Sequence, residues 1–337
     1  METLDAAWYR DGAIYERERE AIFASTWQYA GHRSQLSNTG DFVALDIAGW
    51  PIFVVVDNHG ELRGFHNVCA HRAGPIVAGP GGTCTLTCRY HGWTYRWDGE
   101  LATARDFQGD DSSLAGARLA SVRIATWRGL VFANLAPESQ PLEAALGSLP
   151  SLATAYSIES FELYHQATHS IAANWKTYAD NYGEGYHIPM VHPALNRAVD
   201  VRSYRVEVLD GGRLQRHVSP ARDGAPTTGE WLYLWPNMAF NLYPNGMSVE
   251  RFMPRSVDRV DVVLDYFFVV GTPDADIKRA LDSSEEITAE DVAICEAVQR
   301  NLNAGRYRAG VLSPRHENGV AALQQLVREA VARAPSR

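Results

Sequence analysis

The sequence predicts an α+β fold, in which a small antiparallel β domain is inserted into a larger domain of helices and a second antiparallel sheet. Three observations support this fold class. Residues 41–67 contain short β-branched and aromatic runs separated by turn residues, which is typical of antiparallel strands. Residues 231–270 are again rich in strand-forming residues. Helical character is expected at 174–187 and beyond residue 284.

The inserted domain contains four predicted strands. Strands at 41–47, 51–56 and 62–66 follow one another closely and are separated by turn residues. A strand at 130–135 closes the region, and residues 137–150 form a connection. We therefore expect a domain boundary near residue 135.

The larger domain combines a sheet with long helices. Strand-forming runs lie at 231–235 and 260–270, and a long helix is predicted over about 284–303. A final helix is predicted from Asn318, because apolar residues then recur at helical spacing, at Val320, Leu323, Leu326 or Val327, and Val331.

The composition is that of a globular protein with an acidic balance. The chain of 337 residues has 31 Lys and Arg against 40 Asp and Glu, a net charge of −9. Without a block of cations, nucleic acid is not an expected partner. The first residues lack the features of a signal peptide, and no apolar run approaches the roughly twenty residues that span a membrane. We expect a cytoplasmic protein of about two domains that does not bind membranes.

Two cysteines lie in paired Cys/His patterns. Cys69-x-His71 is followed after sixteen residues by Cys88-x-x-His91. Cytoplasmic thiols stay reduced, so metal binding is favoured over disulfides. Zinc could use two Cys and two His, but structural zinc sites usually group the cysteines in one half and the histidines in the other. Mixed halves fit a [2Fe–2S] cluster in which one iron takes two thiolates and the other takes two imidazoles.

The motif and the Gly-Trp-Thr-Tyr at 92–95 that follows it resemble the Rieske family, and in particular Rieske oxygenases. The resemblance implies a Rieske domain at 38–135 within a catalytic domain formed by 1–37 and 136–337. It also implies the four cluster ligands, Cys69, His71, Cys88 and His91. The other two cysteines, Cys84 and Cys295, are expected to be small buried residues without a role.

A second metal site is indicated downstream. His187 and His192 are five residues apart, and Pro189 breaks the helix between them, so both rings can turn toward one point. They could supply two ligands of a 2-His-1-carboxylate site, which suits Fe(II) and O₂. On spacing alone a structural role is equally open. The cluster motif upstream makes iron the leading interpretation.

The resemblance extends to the α subunits of Rieske non-haem iron ring-hydroxylating oxygenases, through Asp-Asn-Tyr at 180–182, Glu-Gly-Tyr-His at 184–187 and His-Pro at 192–193. It implies a helix-grip-like catalytic domain and Asp291 as the third iron ligand. Asp291 also shares helical spacing with Cys295 and Val298, an apolar stripe expected to face inward. Glu290 lies on a neighbouring stripe, so the choice between the two acids depends mainly on the resemblance.

Two further residues are candidate catalytic residues by the same resemblance, Asn181 and Glu184. In this family an acid three residues before the first iron-binding His bridges to a cluster ligand of the next chain in a homotrimer. Here that position holds Glu184, where many aromatic dioxygenases have Asp. The same Glu occurs in the branch that resembles choline, carnitine and glycine-betaine oxygenases.

These observations predict a terminal oxygenase that contains a [2Fe–2S] cluster and mononuclear Fe(II), and that uses O₂ as co-substrate. The chain has no phosphate-binding loop and no dinucleotide-binding glycine fingerprint, so NAD(P)H is expected to act only through a separate reductase. A ferredoxin, a flavin reductase or both would be the electron donors. Arginines near the cluster ligands could dock an acidic ferredoxin, or could simply be solvated; they are Arg72, Arg89 and Arg96.

The substrate is predicted only as a class. It is either an aromatic or apolar ring compound, or a compound oxidised next to nitrogen with N-dealkylation. Aromatic residues at 231–243 could bind quaternary ammonium, stack on an aromatic substrate, or form the sheet core; they are Trp231, Tyr233, Trp235, Phe240 and Tyr243. The alternatives are a Rieske electron carrier without oxygen chemistry and a zinc-binding interaction protein.

Overall fold

The structure, a computed structural model, describes residues 1–79, 81–220 and 229–333. The chain divides into two compact units: residues 24–142 form one, and residues 1–23 with 143–337 form the other. The α+β fold class is confirmed, because each unit contains an antiparallel sheet and the second unit adds long helices. The limits given above for a Rieske domain, residues 38 and 135, stay a prediction.

The smaller unit, residues 24–142, consists mainly of short strands. Seven of them form one sheet in the order β1-β10-β9-β4-β3-β2-β5, and three form a small sheet in the order β6-β7-β8. The four strands predicted from sequence are confirmed to within one residue at each end. The strands are β1 Gln28–His32, β2 Asp41–Ile47, β3 Trp50–Val56, β4 Leu62–His66, β5 Gly81–Gly82, β6 Leu86–Thr87, β7 Thr94–Tyr95, β8 Leu101–Thr103, β9 Ser121–Trp127 and β10 Leu130–Asn134.

The cysteines of this unit lie in different surroundings. Cys69 and Cys88 are buried in an apolar cluster that also contains Phe65 and Trp93. The expectation that Cys84 is buried is wrong: its side chain is exposed in the bend between β5 and β6. Gly81 and Gly82 of β5 and Thr85 in the bend are exposed as well, so this whole segment lies at the surface.

The larger unit packs helices on one seven-stranded antiparallel sheet. The strand order is β11-β17-β16-β15-β14-β13-β12, so consecutive strands from β12 to β17 are neighbours. The strands are β11 Phe161–Ile171, β12 Arg205–Leu209, β13 Leu214–Val218, β14 Glu230–Leu234, β15 Met238–Tyr243, β16 Gly246–Ser256 and β17 Arg259–Val269. The helices are α1 Ala7–Arg10, α2 Gly12–Glu18, α3 Leu142–Leu146, α4 Leu149–Leu152, α5 Trp175–Tyr182, α6 Ile188–Val191, α7 Pro193–Ala198, α8 Asp274–Asn303 and α9 Asn318–Arg333.

Two predicted helices have different limits in the structure. The helix predicted over 174–187 ends at Tyr182, because Gly183 terminates it and the chain then turns. The helix predicted from about residue 284 begins ten residues earlier, directly after Pro273. The final helix begins at Asn318 as predicted. Among the described residues, no helix has the length and apolar character that crossing a membrane requires.

Helix α5 is tied to its neighbours at its first turn. The Asn174 side chain accepts a hydrogen bond from the backbone N–H of Lys176 (3.0 Å), and its amide donates to the carbonyl of Val257 (2.6 Å). Its backbone N–H donates to Gln299 of α8 (3.0 Å). The buried Lys176 ammonium lies 2.7 Å from Glu18 of α2. Because these partners come from α2, α8 and the β16–β17 turn, the position of α5 is fixed from several sides.

Candidate active site

The turn after α5 positions two histidines. The Glu184 carboxylate accepts hydrogen bonds from the backbone N–H groups of Tyr186 and His187, the latter at 3.1 Å. These hydrogen bonds close the turn that begins at Gly183. His187 lies at the end of this turn, directly before the short helix α6. His192 follows α6 directly, and Pro193 then starts α7. One helical turn therefore separates the two rings and lets them face each other.

Three ligand atoms converge at this point. His187 Nε2 and His192 Nε2 are 3.1 Å apart. Asp291 Oδ1, from α8, lies 3.0 Å from His192 Nε2 and 3.8 Å from His187 Nε2. The ligand atoms of the three residues all lie within 4.8 Å of one another, so they could hold a single metal ion. Two imidazoles and one carboxylate form the donor set of a mononuclear non-haem Fe(II) site.

A carboxylate holds the other nitrogen of each ring. His187 Nδ1 is 2.6 Å from Glu184 Oε1, and His192 Nδ1 is 2.7 Å from Glu290 Oε2. A carboxylate only accepts hydrogen bonds, so each Nδ1 carries the proton and donates it. In a neutral ring the lone pair is then on Nε2, which points to the converging ligand atoms. This is the arrangement in which outer carboxylates orient metal-binding histidines.

The charges of the site suit a divalent cation. Asp291 Oδ1 also accepts a hydrogen bond from Asn181 Nδ2 at 2.6 Å, which orients the carboxylate. Burial lowers the pKa of His192, but the carboxylates of Asp291 and Glu290 outweigh it and raise that pKa above its ordinary value. With Glu184, three carboxylates surround two imidazoles. A metal ion would neutralise this excess of negative charge, so the residues present fit a metal centre.

Both acids that the sequence left open contact His192. Asp291 lies beside its Nε2 and Glu290 accepts from its Nδ1. Adjacent residues of a helix project about 100° apart, so these neighbours contact one ring at two atoms. Cys295, one turn further along α8, is buried as expected, but Val298 of the same predicted stripe is 41% exposed, so the inward-facing stripe is wrong at that position.

In the smaller unit, the four residues of the Cys/His motif lie on two adjacent loops. Cys69 and Cys88 are buried, His91 is half-buried and His71 is exposed. The two imidazole ring centroids are 4.6 Å apart. Cys69 Sγ is 2.9 Å from the hydroxyl of Tyr95. Two inner thiols and two outer imidazoles match the donor set of a Rieske cluster.

The loop around Cys88 is shaped for a sulfur ligand. A Cβ at Gly74 would lie 2.8 Å from Cys88 Sγ, so only glycine lets the first loop approach this closely. Burial raises the pKa of the Cys88 thiol, while the backbone N–H groups of Tyr90 and His91 act in the opposite direction. N–H groups directed at sulfur stabilise the thiolate that a cluster requires.

A cavity of about 800 Å³ adjoins the metal-site residues in the larger unit. One wall is a row of residues that are paired from strand to strand across β13 to β17: His217, Trp231, Asn241, Ser248 and Tyr266. Because paired residues on neighbouring strands share a face, the whole row points into the cavity. The opposite wall comes from α5 to α8 and contains His187, His192 and Asp291.

The aromatic residues at 231–243 lie in three different environments. Trp231 and Tyr243 line the cavity, and Trp231 Nε1 donates to the Tyr243 hydroxyl at 2.8 Å. Tyr233 and Phe240 are buried at 1% and 0% exposure and belong to the core. Trp235 lies beyond the end of β14 at Leu234, so it does not share the face of that strand.

An acid in the cavity was not singled out from the sequence. Glu250 of β16 lines the cavity and is 8% exposed. Its Oε1 accepts a hydrogen bond from Asn241 Nδ2 at 2.7 Å, and Asn241 Oδ1 accepts from the Tyr182 hydroxyl at 2.8 Å. Burial raises the pKa of Glu250 to about 7, opposed by the Asn241 hydrogen bond and assisted by the charge of Asp291. Strand alternation could have placed Glu250 with Ser248 on one face, but not toward a cavity.

Comparison with known families decides the relationship of the chain. Residues 26–117 match the Rieske [2Fe-2S] domain, and residues 158–228 and 208–333 match the ring hydroxylating alpha subunit (catalytic domain). The chain belongs to the α subunits of the Rieske ring-hydroxylating oxygenases. This oxygenase therefore has a Rieske domain, which implies a [2Fe–2S] cluster, and a catalytic domain, which implies a mononuclear iron site. It works with a separate electron donor on small-molecule substrates.

Curated relatives of this oxygenase are monooxygenases. It is 30% identical to the chloroplastic choline monooxygenase of Arabidopsis thaliana over 91% of this chain and 78% of the relative. It is 29% identical to the carnitine monooxygenase oxygenase subunit of Escherichia coli K12, over 91% and 86%.

Solved structures agree with this relationship. The quaternary ammonium Rieske monooxygenase CntA has a TM-score of 0.89 at 27% identity, over 98% of this chain and 95% of that one. A naphthalene 1,2-dioxygenase from Rhodococcus has a TM-score of 0.80 at 21% identity, over 99% and 95%, which shows a shared fold.

We expect Glu290→Ala to weaken divalent-metal binding roughly 10- to 100-fold, because it removes the carboxylate that holds the Nδ1 proton of His192. The measurement is a titration of chelator-treated protein with Fe(II) under anaerobic conditions. Glu286→Ala is the matched control, since Glu286 is an exposed acid on the same helix. Equal metal affinity in both variants would contradict a role for Glu290 in the site.

Proposed function

We propose that this oxygenase oxidises a C–H bond next to the nitrogen of a small quaternary ammonium compound. The observation that carries the proposal is the buried carboxylate of Glu250, which lines the same cavity as the metal-site residues. A substrate with a permanent positive charge would balance that carboxylate. With a neutral ring compound the buried group would instead tend to take up a proton, because burial already raises the pKa of Glu250 to about 7.

Four tyrosines line the same cavity as Glu250, and we call the space beside the Glu250 carboxylate the cation position. Burial, and after it the charge of Glu250, raises the pKa of Tyr178 and Tyr182. The same two causes act on Tyr243 and Tyr266, where hydrogen bonds from or to neighbours oppose them. Four tyrosines therefore lie within electrostatic range of one carboxylate. Aromatic faces attract quaternary ammonium groups by cation–π interaction, so this part of the cavity, with two tyrosines from α5 and two from the sheet, suits such a group.

The relatives support the same substrate class. Those reported above are named for choline and carnitine, and the CntA structure is that of a quaternary ammonium monooxygenase. Residue 184 is a glutamate, as in the branch that resembles choline and carnitine oxygenases, whereas many aromatic dioxygenases have an aspartate at this position. This residue type supports the same substrate class.

We assign the metal ligands as the family motif suggests: Cys69, His71, Cys88 and His91 to the cluster, and His187, His192 and Asp291 to the iron. When bound, iron would activate O₂ with electrons that the cluster supplies. Glu184 and Glu290 keep the protons on Nδ1 of the two histidines, and Asn181 orients the carboxylate of Asp291.

The reaction inserts one oxygen atom into the C–H bond beside nitrogen. Two electrons and two protons reduce the other oxygen atom to water. The carbinol then breaks its C–N bond, which releases an aldehyde, a tertiary amine and a proton. Apolar and aromatic walls exclude bulk water while the substrate is held.

The electrons would come from NAD(P)H through a flavin reductase, a ferredoxin or both. We infer a homotrimer in which Glu184 links the iron site of one chain to the cluster of the next. A CntA structure has been described in terms of inter-subunit electron transfer, which supports this arrangement. Arg72 is exposed next to a cluster ligand and lies over the Tyr90 ring at 5.5 Å, so it is available to an acidic ferredoxin.

The substrate proposal is tested with choline and its neutral isostere 3,3-dimethylbutan-1-ol. We expect wild-type protein to bind choline more tightly, and Glu250→Gln to weaken choline binding roughly 10-fold while the neutral isostere is unaffected, because only the cation interacts with the charge. Binding is measured by calorimetry. Glu162→Gln, at an exposed residue of β11, is the matched control.

Product analysis completes that test. With a reductase, NADH and a trimethylammonium compound, an aldehyde and a tertiary amine should appear in equal amounts: formaldehyde if an N-methyl group is oxidised, a longer aldehyde and trimethylamine if the chain carbon is. Phenols or cis-diols from ring compounds, with no binding of the cation, would refute the proposal.

The link between the two metal centres is tested with Glu184→Gln and Glu290→Gln. Each amide oxygen can still accept from its histidine, so both variants should keep about three irons and two sulfides per chain. In Glu184→Gln the amide nitrogen replaces the oxygen that accepts from the backbone of Tyr186 and His187, so the metal contents also check that the turn is intact. We expect only Glu184→Gln to slow re-oxidation of the reduced cluster by O₂ and substrate, followed by its absorbance. The same rate in both variants would rule out a special role for Glu184.

Ferredoxin docking is tested by charge reversal at Arg72. We expect Arg72→Glu to lower the ferredoxin-supported rate at low salt, with the difference shrinking as ionic strength rises, because the attraction is electrostatic. Arg213→Glu, at an exposed arginine of the larger unit, is the control. Identical salt profiles for both variants would argue against docking at Arg72.

A further inference from the structure

A buried histidine in the cavity wall has one nitrogen without a partner. His217 of β13 is 2% exposed and lines the cavity. Its Nδ1 is 2.6 Å from the Tyr204 hydroxyl. Its Nε2 is buried and forms no hydrogen bond with any residue that the structure describes. Buried polar atoms are nearly always paired, so this atom indicates a missing partner.

The hydrogen bond to Tyr204 determines which nitrogen carries the proton. Burial, assisted by the charge of Glu184, raises the pKa of Tyr204, so the phenol keeps its proton. Burial lowers the pKa of His217 to about 3, so its ring is neutral. Among the described residues, His217 Nδ1 is the only hydrogen-bond partner of the buried Tyr204 hydroxyl, so a phenol proton that did not donate to it would be unpaired. The Tyr204 hydroxyl therefore donates, and Nδ1 is the acceptor. In a neutral imidazole the other nitrogen is then the donor, so His217 presents an Nε2–H group.

Neighbouring rings hold the orientation of His217. The Tyr182 ring packs edge-on against it, with centroids 5.2 Å apart at 76°, and the Tyr204 ring lies 6.0 Å away at 64°. The backbone on both sides is fixed, because His217 pairs with Val206 of β12 and with Trp231 of β14. The donor is therefore preorganised, and a ligand would not have to order it.

We propose that His217 is a specificity-determining residue that donates a hydrogen bond to an oxygen atom of the substrate. The inference deepens the proposed function and rests on it: the substrate would be a small quaternary ammonium compound with a hydroxyl or carboxylate oxygen at its other end. A substrate with an N–H or ammonium group in place of this oxygen would not fit, because the Nε2–H of His217 donates hydrogen bonds and cannot accept one.

The sheet places the two recognition elements a short distance apart. His217 and Asn241 belong to the same cross-strand row, and Trp231 lies between them. Two strand spacings separate their backbones by about 10 Å. Asn241 holds Glu250 at the cation position. A compound with a few methylene groups between nitrogen and oxygen could reach both elements, with its chain along the Trp231 ring.

Two pairs of probes isolate the oxygen atom. Choline is compared with n-propyltrimethylammonium, in which a methyl group replaces the hydroxyl. γ-Butyrobetaine is compared with 4-methylpentyltrimethylammonium, in which an isopropyl group replaces the carboxylate. Dissociation constants are measured by calorimetry for wild type, His217→Phe and His217→Gln. The first pair reports a hydroxyl acceptor and the second a carboxylate acceptor.

We expect wild type to prefer the oxygen-containing member of at least one pair. His217→Phe should reduce that preference roughly 10- to 100-fold, since it removes the donor and keeps a ring of similar size. Binding of the oxygen-free member should not change. His217→Gln should restore most of the preference, because the Gln amide nitrogen occupies a position similar to Nε2.

Equal weakening of both members by His217→Phe, or no preference in wild type, would overturn the assignment of His217. Neither result affects the preference for choline over 3,3-dimethylbutan-1-ol, on which the proposed function depends. Absence of that cation preference would instead overturn the proposed function. Iron and sulfide contents of each variant, together with unchanged binding of the oxygen-free probes, show that the variants are folded.

Discussion

The proton on Nδ1 of His187 and of His192 is held by a carboxylate, and the other features of the candidate metal site depend on this interaction. It directs both Nε2 atoms toward Asp291. It also requires Glu184 to lie three residues before His187, and Glu290 to precede Asp291 on α8. The chain must therefore leave α5 at Tyr182, since a longer helix would take Glu184 out of the turn.

The buried anchors of α5 keep this turn in register with α8. Asn174 and Gln299 join the two helices through a hydrogen bond that is shielded from water. The ion pair between Lys176 and Glu18 is also buried, and the Trp175 indole donates to the same carboxylate at 2.9 Å. Loss of one partner would leave a buried charge uncompensated, which is costly. The stability of the N-terminal helices and the geometry of the metal site therefore share one set of contacts.

The sequence was sufficient for features that depend on spacing along the chain. The cluster motif, the His187–His192 pair and the final helix at Asn318 are all local. Features that depend on tertiary packing were not accessible. Alternation shows which residues of a strand share a face, but not whether that face meets a cavity, so it does not identify His217 or Glu250 as cavity residues. The same limit applies to Cys84: cysteine is a residue type usually found in the interior, but the packing around this position leaves it exposed.

The cavity wall and the metal site are built on different kinds of structure. The metal-site residues lie on helices and their connecting turn, whereas the cross-strand row from His217 to Tyr266 takes one residue from each of five strands. Such a row can change one position at a time, because a substitution alters a side chain without altering the ladder. Substitutions in this row, natural or engineered, could thus change the substrate specificity while the residues that serve the oxygen chemistry stay the same. A shift of one residue in any strand, by contrast, would turn its member of the row to the opposite face.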